Sequence, residues 1–199
     1  MSNYVISISR EFGSGGRMIG KQLAARLGIP CYDRTLIQKT AEKSGLSSEF
    51  IARAEERARS RIHLPLASLG TGVAAYTQQG VPVSLQAFFA QSEVIRELAD
   101  EGPCVIVGRC ADYILRERED CLKVFVHADM KFRADRIVRV YGEREKSPEA
   151  RLKEKDKRRA AYYRFYTDMN WGNAANYHIA LDSGVIGIEK SAEIIESLA

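Results

Sequence analysis

The chain has 199 residues, of which 45% are hydrophobic and 28% charged, with a formal net charge of +4. That length suits one domain burying roughly 70% of its unfolded surface, and the composition excludes a disordered chain. No apolar run reaches the about 18 residues of a membrane span. Met1-Ser2-Asn3-Tyr4 lacks the basic and apolar regions of a signal peptide, so a cytoplasmic location is expected.

In chain order, short apolar, β-rich runs alternate with helical patterns, the signature of an α/β fold with a parallel sheet covered by helices. The first strand is predicted at Val5–Ser9, followed by the glycine cluster Gly13, Gly15, Gly16 and a helix over Met18–Leu27. Ile19, Leu23 and Leu27 form that helix's apolar stripe, and Gly28-Ile29-Pro30 ends it. A second strand is expected at Ile29–Tyr32, helices at Leu36–Ser44 and Ser48–Ser60, a loop at Leu64–Pro82 and a helix at Ser84–Asp100. Strands at Cys104–Val107 and Leu122–His127 come next, then helices at Lys131–Tyr141 and Pro148–Arg164. A last strand at Tyr177–Leu181 and a helix at Ile188–Leu198 close the chain. Strands this short and unalternating suit a sheet buried on both faces. The chain thus reads as one domain with core segments 1–34, 101–141 and 176–199, an insertion at about 35–100 and a second at about 142–175. Insertions of this kind lie over the carboxyl edge of the sheet, where open α/β folds bind ligands.

Cys31, Cys104, Cys110 and Cys121 stand apart, without CxxC or metal-ligand spacing, and read as buried free thiols. His63, His127 and His178 are equally scattered and carry no assigned chemistry. The surplus of cations lies between Arg133 and Arg164, interleaved with Glu143, Glu145, Glu149, Glu154 and Asp156. Such a run is either a solvated helix face or the binding surface of an anion. Tyr162, Tyr163, Phe165, Tyr166 and Trp171 crowd its end and read first as a hydrophobic anchor or subunit contact, second as a platform for a base.

The strand, glycine turn and helix of the first thirty residues are what an anion site needs. Glycines allow positive φ and close backbone approach, and the opening amides of the helix face the negative charge. Gly13, Ser14, Gly15, Gly16, Arg17 and Met18 are therefore the candidate phosphate-holding residues; a tight connection with no ligand is the other reading. The run departs from GxxxxGK[ST]. Counted back from Asp33, Arg10 stands at the first glycine and Gly16 at the lysine.

The run Ser7 to Gly20, together with Tyr32-Asp33-Arg34, Val107-Gly108-Arg109 and Ala180-Leu181-Asp182-Ser183, resembles the cytidylate kinase-like family in order and spacing over nearly the whole chain. The resemblance implies a three-layer, five-stranded parallel P-loop core of nucleoside-monophosphate kinase type, with the first insertion binding the acceptor monophosphate and the second forming a lid. It matches Arg109 with the arginine that grips the acceptor. It likens Asp156 and Arg159 to the Asp and Arg that contact the cytosine nucleotide; an intrahelical salt bridge is their other reading. Arg133 and Arg136 are likened to a pair of arginines after the fourth strand, with Arg133 the better candidate.

Arg17, Arg109, Arg133 and Arg159 are thus the candidate catalytic residues, and Asp33, Arg34, Arg109, Asp156 and Arg159 the candidate substrate-binding set. Where the family carries acids around the end of the third strand, this chain has Val107 and Cys110. Asp33, Asp112, Glu11 and Ser14 remain as open choices for Mg²⁺. The leading reading is an ATP- and Mg²⁺-dependent kinase acting on a nucleoside monophosphate, CMP or dCMP first. Beside it stand a kinase for another small acceptor and, given the missing loop lysine, a non-catalytic nucleotide-binding module. Nucleotide substrates are the expected partners, with no membrane, no nucleic acid in the leading reading, and an oligomer left open.

Overall fold

The computed structural model describes residues 4–33, 35–45, 47–49, 51, 83–142 and 146–199. Arg34, most of the helix expected at Ser48–Ser60 and the loop expected at Leu64–Pro82 lie outside them. The strands are β1 (Val5–Arg10), β2 (Cys31–Tyr32), β3 (Cys104–Val107), β4 (Cys121–His127) and β5 (Ile179–Asp182). The helices are α1 (Gly16–Leu27), α2 (Thr35–Ser44), α3 (Val83–Glu101), α4 (Ala111–Ile114), α5 (Met130–Tyr141), α6 (Pro148–Thr167), α7 (Ser183–Ile186) and α8 (Ile188–Glu196).

All five strands are parallel, in the order β2-β3-β1-β4-β5. The two-residue period of a strand divides β1 between two cores. Ile6 and Ile8 face α1 and α8, packing with Ile19, Leu23, Val105, Val126 and Ile195. Val5 faces the opposite layer with Leu36, Ile95, Ile106, Ile114 and Tyr162. Each fully buried isoleucine contributes about 1.5–3 kcal/mol, so β1, covered on both faces, anchors the sheet. The chain runs from β1 toward β2 but from β3 toward β4, so the topological switch point falls between the carboxyl ends of β1 and β3.

Two strand boundaries move inward from those expected, for local reasons. Gly28 caps α1 in the left-handed region, and the Ile29 amide donates to Ala24 O at 3.0 Å, so Ile29 finishes the helix before β2 begins. Before β5, the Tyr177 amide closes a 3₁₀ turn on Ala174 O. His178 donates its own amide to Lys123 O and accepts the Lys123 amide at Nδ1, a structural role. The short helices α4 and α7 lie at the ends of β3 and β5 and were not expected from periodicity; four residues are too few to show any.

Gly20 is where α1 meets the sheet. A Cβ there would lie 2.9 Å from Val107 Cγ2 and 3.3 Å from Ile8 Cδ1. Overpacking of this kind typically costs about 1–3 kcal/mol. Gly20→Val is expected to lower the unfolding free energy by that amount, read as a lower urea midpoint at an unchanged denaturant slope.

Candidate active site

β1 ends at Arg10 and α1 starts at Gly16, leaving a five-residue turn. Gly13 and Gly15 both take φ of +86°, which an L side chain resists. The turn also lies hard against its neighbours: a Cβ on Gly13 would be 3.0 Å from the Arg133 carbonyl oxygen. Ser14 is fully buried, its hydroxyl within hydrogen-bonding distance of Glu11 O and Val126 O, so it braces the turn and does not face a ligand. No side chain caps α1, whereas Asp129 caps α5 and Ser147 caps α6. Met18, third in the helix, donates its amide to Gly15 O at 2.7 Å; Gly16 and Arg17, whose amides open the helix, border a cavity.

Two cavities adjoin at this edge. The smaller, about 310 Å³, lies against the turn and includes Gly13, Gly15, Gly16, Arg17 and Met18, with Lys21 and Arg136 at its sides. The larger, about 530 Å³, lies over β3 beneath α6. They share Arg10, Phe12, Asp33, Tyr141 and Arg159. Six cations line the larger cavity (Arg10, Arg109, Arg151, Lys155, Arg158 and Arg159) against one carboxylate, Asp33. On α6, positions 151, 155, 158, 159 and 162 fall on one helical stripe, and that stripe faces the cavity.

Arg109 reaches the larger cavity through an unusual backbone. Gly108, Arg109 and Cys110 have φ of +81°, +63° and +56° in succession. A non-glycine residue held there costs of order 1–3 kcal/mol and persists only where the surroundings enforce it. Arg109 Nη1 donates to Gln91 Oε1 at 3.3 Å, and Gln91 in turn donates to Tyr162 Oη. Burial lowers the Arg109 pKa from its ordinary value, though a guanidinium remains charged. Asp33 is ion-paired to Arg17 and lies 3.9 Å from Arg10.

The two arginines of α5 exchange the parts expected of them. Arg133 lines neither cavity. Only 7% exposed, it is ion-paired to Asp156 and lies 3.4 Å from Glu11, and its Nη1 donates to Phe12 O. Asp156 is likewise turned away from the cavities: its Oδ1 accepts the Phe12 amide at 2.7 Å. Together they bind α6 to the glycine turn. Arg136, three residues on, lines the smaller cavity beside Met18, and burial lowers its pKa. Arg159 lines both cavities and also lies 3.8 Å from Asp156, the intrahelical pair that is their other reading; its Nη1 donates to Arg10 O at 2.8 Å and its guanidinium lies 5.6 Å from the Phe12 ring centre.

Among the acids considered for a metal, Glu11 accepts the Ala128 amide and lies beside Arg133; burial, the largest influence on it, raises its pKa. Asp112 is buried and accepts Tyr163 Oη at 2.7 Å. Asp33 alone borders both cavities. Among the described residues no cluster of three or more His, Cys, Asp or Glu is placed to hold a metal.

Tyr166 stacks on Phe88 at 4.0 Å and Trp171 meets Phe125 edge-on, the packing of an anchor, while Tyr162, Tyr163 and Trp171 also line the larger cavity. The Phe12–Tyr141 stack, with centroids 5.9 Å apart, is the aromatic pair on the lining of both cavities. It was not foreseen, because neither ring belongs to an aromatic cluster in sequence. The four cysteines are free, and Cys104, Cys110 and Cys121 are buried.

A glycine turn joining the first strand to the first helix of this parallel sheet, at the edge of two cationic cavities, defines a P-loop kinase fold. The chain belongs to the cytidylate kinase-like family, whose model matches residues 5–185, and so falls with nucleotide kinases in general. An uncharacterized protein from Eubacterium ventriosum is 25% identical, with a TM-score of 0.71 over 98% of this chain and 97% of that one. Shikimate kinase from Acinetobacter baumannii, in complex with shikimate, shares the fold at 15% identity and a TM-score of 0.52, over 99% of this chain and 93% of its own. Shikimate kinase from Bacteroides thetaiotaomicron does so at 14% and 0.52, over 98% and 97%. No curated protein matches the sequence. Among the described residues no helix is long and apolar enough to cross a membrane.

Two substitutions probe the buried charges. Arg133→Met removes the cation that Asp156 and Glu11 share, leaving Asp156 only the longer contact to Arg159, and breaking a buried pair costs about 3–5 kcal/mol; a loss of that size is expected in urea unfolding. Burial raises the Asp112 pKa despite the Tyr163 hydrogen bond. Below the unfolded pKa of about 4 both states are protonated. Above it the unfolded chain ionises first, so wild-type stability falls as pH rises toward the folded pKa. Asp112→Asn, which keeps an acceptor for Tyr163, is expected to melt above wild type at pH 7, with the difference closing below about pH 4.

Proposed function

We propose that the chain is an ATP- and Mg²⁺-dependent kinase that transfers the γ-phosphoryl group to a nucleoside monophosphate, CMP or dCMP first. The observation that carries the reading is the pair of adjoining cavities, one against the glycine turn and one under α6, with a shared cationic border. The smaller takes the ATP phosphates on the opening amides of α1, with Arg17, Lys21 and Arg136 around them. The larger takes the acceptor, gripped by Arg109 and covered by the α6 stripe as a lid. Asp33, the carboxylate on both cavities, would hold a Mg²⁺ through water on release from Arg17; when bound, the ion would neutralise phosphate charge.

Phosphoryl transfer asks the protein for position and positive charge more than for covalent chemistry. A guanidinium fork meets phosphate oxygens in a fixed plane, which suits Arg109 and Arg159 at the two sides of the transferred group. With an acceptor filling the cavity under α6, exclusion of water would strengthen those charges. The six-to-one excess of cations in the larger cavity also favours a second reading, a kinase whose small acceptor carries more negative charge than one phosphate. The missing loop lysine keeps a non-catalytic nucleotide binder as the remaining alternative.

A coupled ADP-release assay across CMP, dCMP, UMP and AMP tests the reading: turnover is expected with CMP or dCMP, and background rates with all four refute it. ATP binding by calorimetry without transfer supports the non-catalytic alternative. Arg109→Ala is expected to lower kcat/KM for the acceptor roughly 10²-fold while changing ATP affinity much less.

A further inference from the structure

In the common phosphate loop a glycine follows the strand and a lysine heads the helix. Here the two residue types have changed places: Arg10 ends β1 and Gly16 starts α1. Packing explains why the changes go together. A Cβ on Gly16 would lie 2.6 Å from Arg10 Cβ and 3.0 Å from its Cγ. No side chain fits at position 16 while an arginine occupies position 10.

A second glycine, on a different element, clears the other end of the same side chain. A Cβ on Gly108 would overlap Arg10 Nη1 and lie 2.9 Å from its Cζ. Any side chain at Gly108 is disfavoured chiefly by its φ of +81°, and it would displace the guanidinium end of Arg10. The stem of Arg10 therefore lies over the start of α1, and its guanidinium lies over the end of β3, at the topological switch point. Its backbone is fixed by pairing with Val126 and by the Arg159 guanidinium on its carbonyl.

Arg10 borders both cavities, whereas Arg17 borders only the smaller, is 41% exposed and leans on Asp33. We propose that Arg10 is the relocated cation of this phosphate loop, its guanidinium touching the phosphoryl group where that group crosses from donor to acceptor. The chemistry rests on the phosphoryl-transfer reading; the position rests on packing. As the bond from phosphorus to the ADP oxygen breaks and the bond to the acceptor oxygen forms, Arg10 gives and takes no proton. It holds the equatorial oxygens of the group in transit.

The probes are inorganic tripolyphosphate in calorimetry and steady-state kinetics with the full chain. Arg10→Met is expected to weaken tripolyphosphate binding at least tenfold, to flatten its salt dependence, and to lower kcat about 10²- to 10³-fold with a smaller change in acceptor KM. Arg10→Lys is expected to recover part of the binding but little of kcat, because an ammonium cannot span two oxygens as a fork. A packing cycle checks the exchange directly. Gly16→Ala is expected to lower the melting temperature in the wild-type background and much less in Arg10→Gly, where the methyl has room.

The proposal is overturned if folded Arg10→Met binds tripolyphosphate as tightly as wild type. It is overturned equally if Gly16→Ala is as damaging beside Gly at position 10 as beside Arg. Wild-type protein without turnover on any nucleotide sinks the phosphoryl-transfer reading and with it the catalytic contact. The tripolyphosphate titration then still decides whether Arg10 is the cation of the loop.

Discussion

The architecture of this site depends on a single burial constraint: the Arg133 guanidinium lies inside the protein and must be paired there. An unpaired buried charge costs several kcal/mol, and the partners available are Asp156 on α6 and Glu11 on the turn. Meeting that need fixes α6 across the glycine turn, and Asp156 takes the Phe12 amide with its other oxygen. One carboxylate thus settles the register of a twenty-residue helix against the loop beneath it. The cationic stripe of α6 faces the larger cavity because Asp156, on the neighbouring side of the same helix, is held in place.

The other half of the site follows from topology. With β1 and β3 adjacent and their outgoing connections diverging, the sheet leaves a crevice at their carboxyl ends. Among the described residues, two of the three non-glycine positions with positive φ, Arg109 and Cys110, lie there, beside Gly13, Gly15 and Gly108 in the two turns that border the crevice. Strain of this kind needs rigid surroundings, and β1 and β3 supply them through strands buried on both faces. The fold spends its most secure element on holding its least relaxed backbone.

Much of this was legible in the amino-acid sequence, for physical reasons that also explain what was not. Fully buried strands announce themselves as unbroken apolar runs, so Cys104–Val107 was found to the residue. Where a neighbouring turn claims a strand's first amides, as at Ile29 and Tyr177, the run looks longer than the strand. Arg133 and Arg136 lie three apart, nearly on one helical face, and sequence spacing does not tell the inward guanidinium from the one on the cavity. Only the position of Asp156 in space separates them. In the sequence Arg10 reads as a missing glycine, not as a cation, because the room for its side chain is made by Gly16 and by Gly108 on another element.

The charged run of α6 shows how an interleaved sequence becomes a one-sign surface. Glu154 is bound to Lys146 and Arg158, and Asp156 is turned inward to Arg133 and the Phe12 amide. Neither carboxylate lines the larger cavity, whereas Arg151, Lys155, Arg158 and Arg159 do. The helix carries seven cations against three carboxylates, and burial and pairing remove Glu154 and Asp156 from the side that matters. Composition averages over these two sides and so hides the field. The site's positive potential is produced by where the acids go, and the loop's own arginine adds to it at the point where both cavities meet.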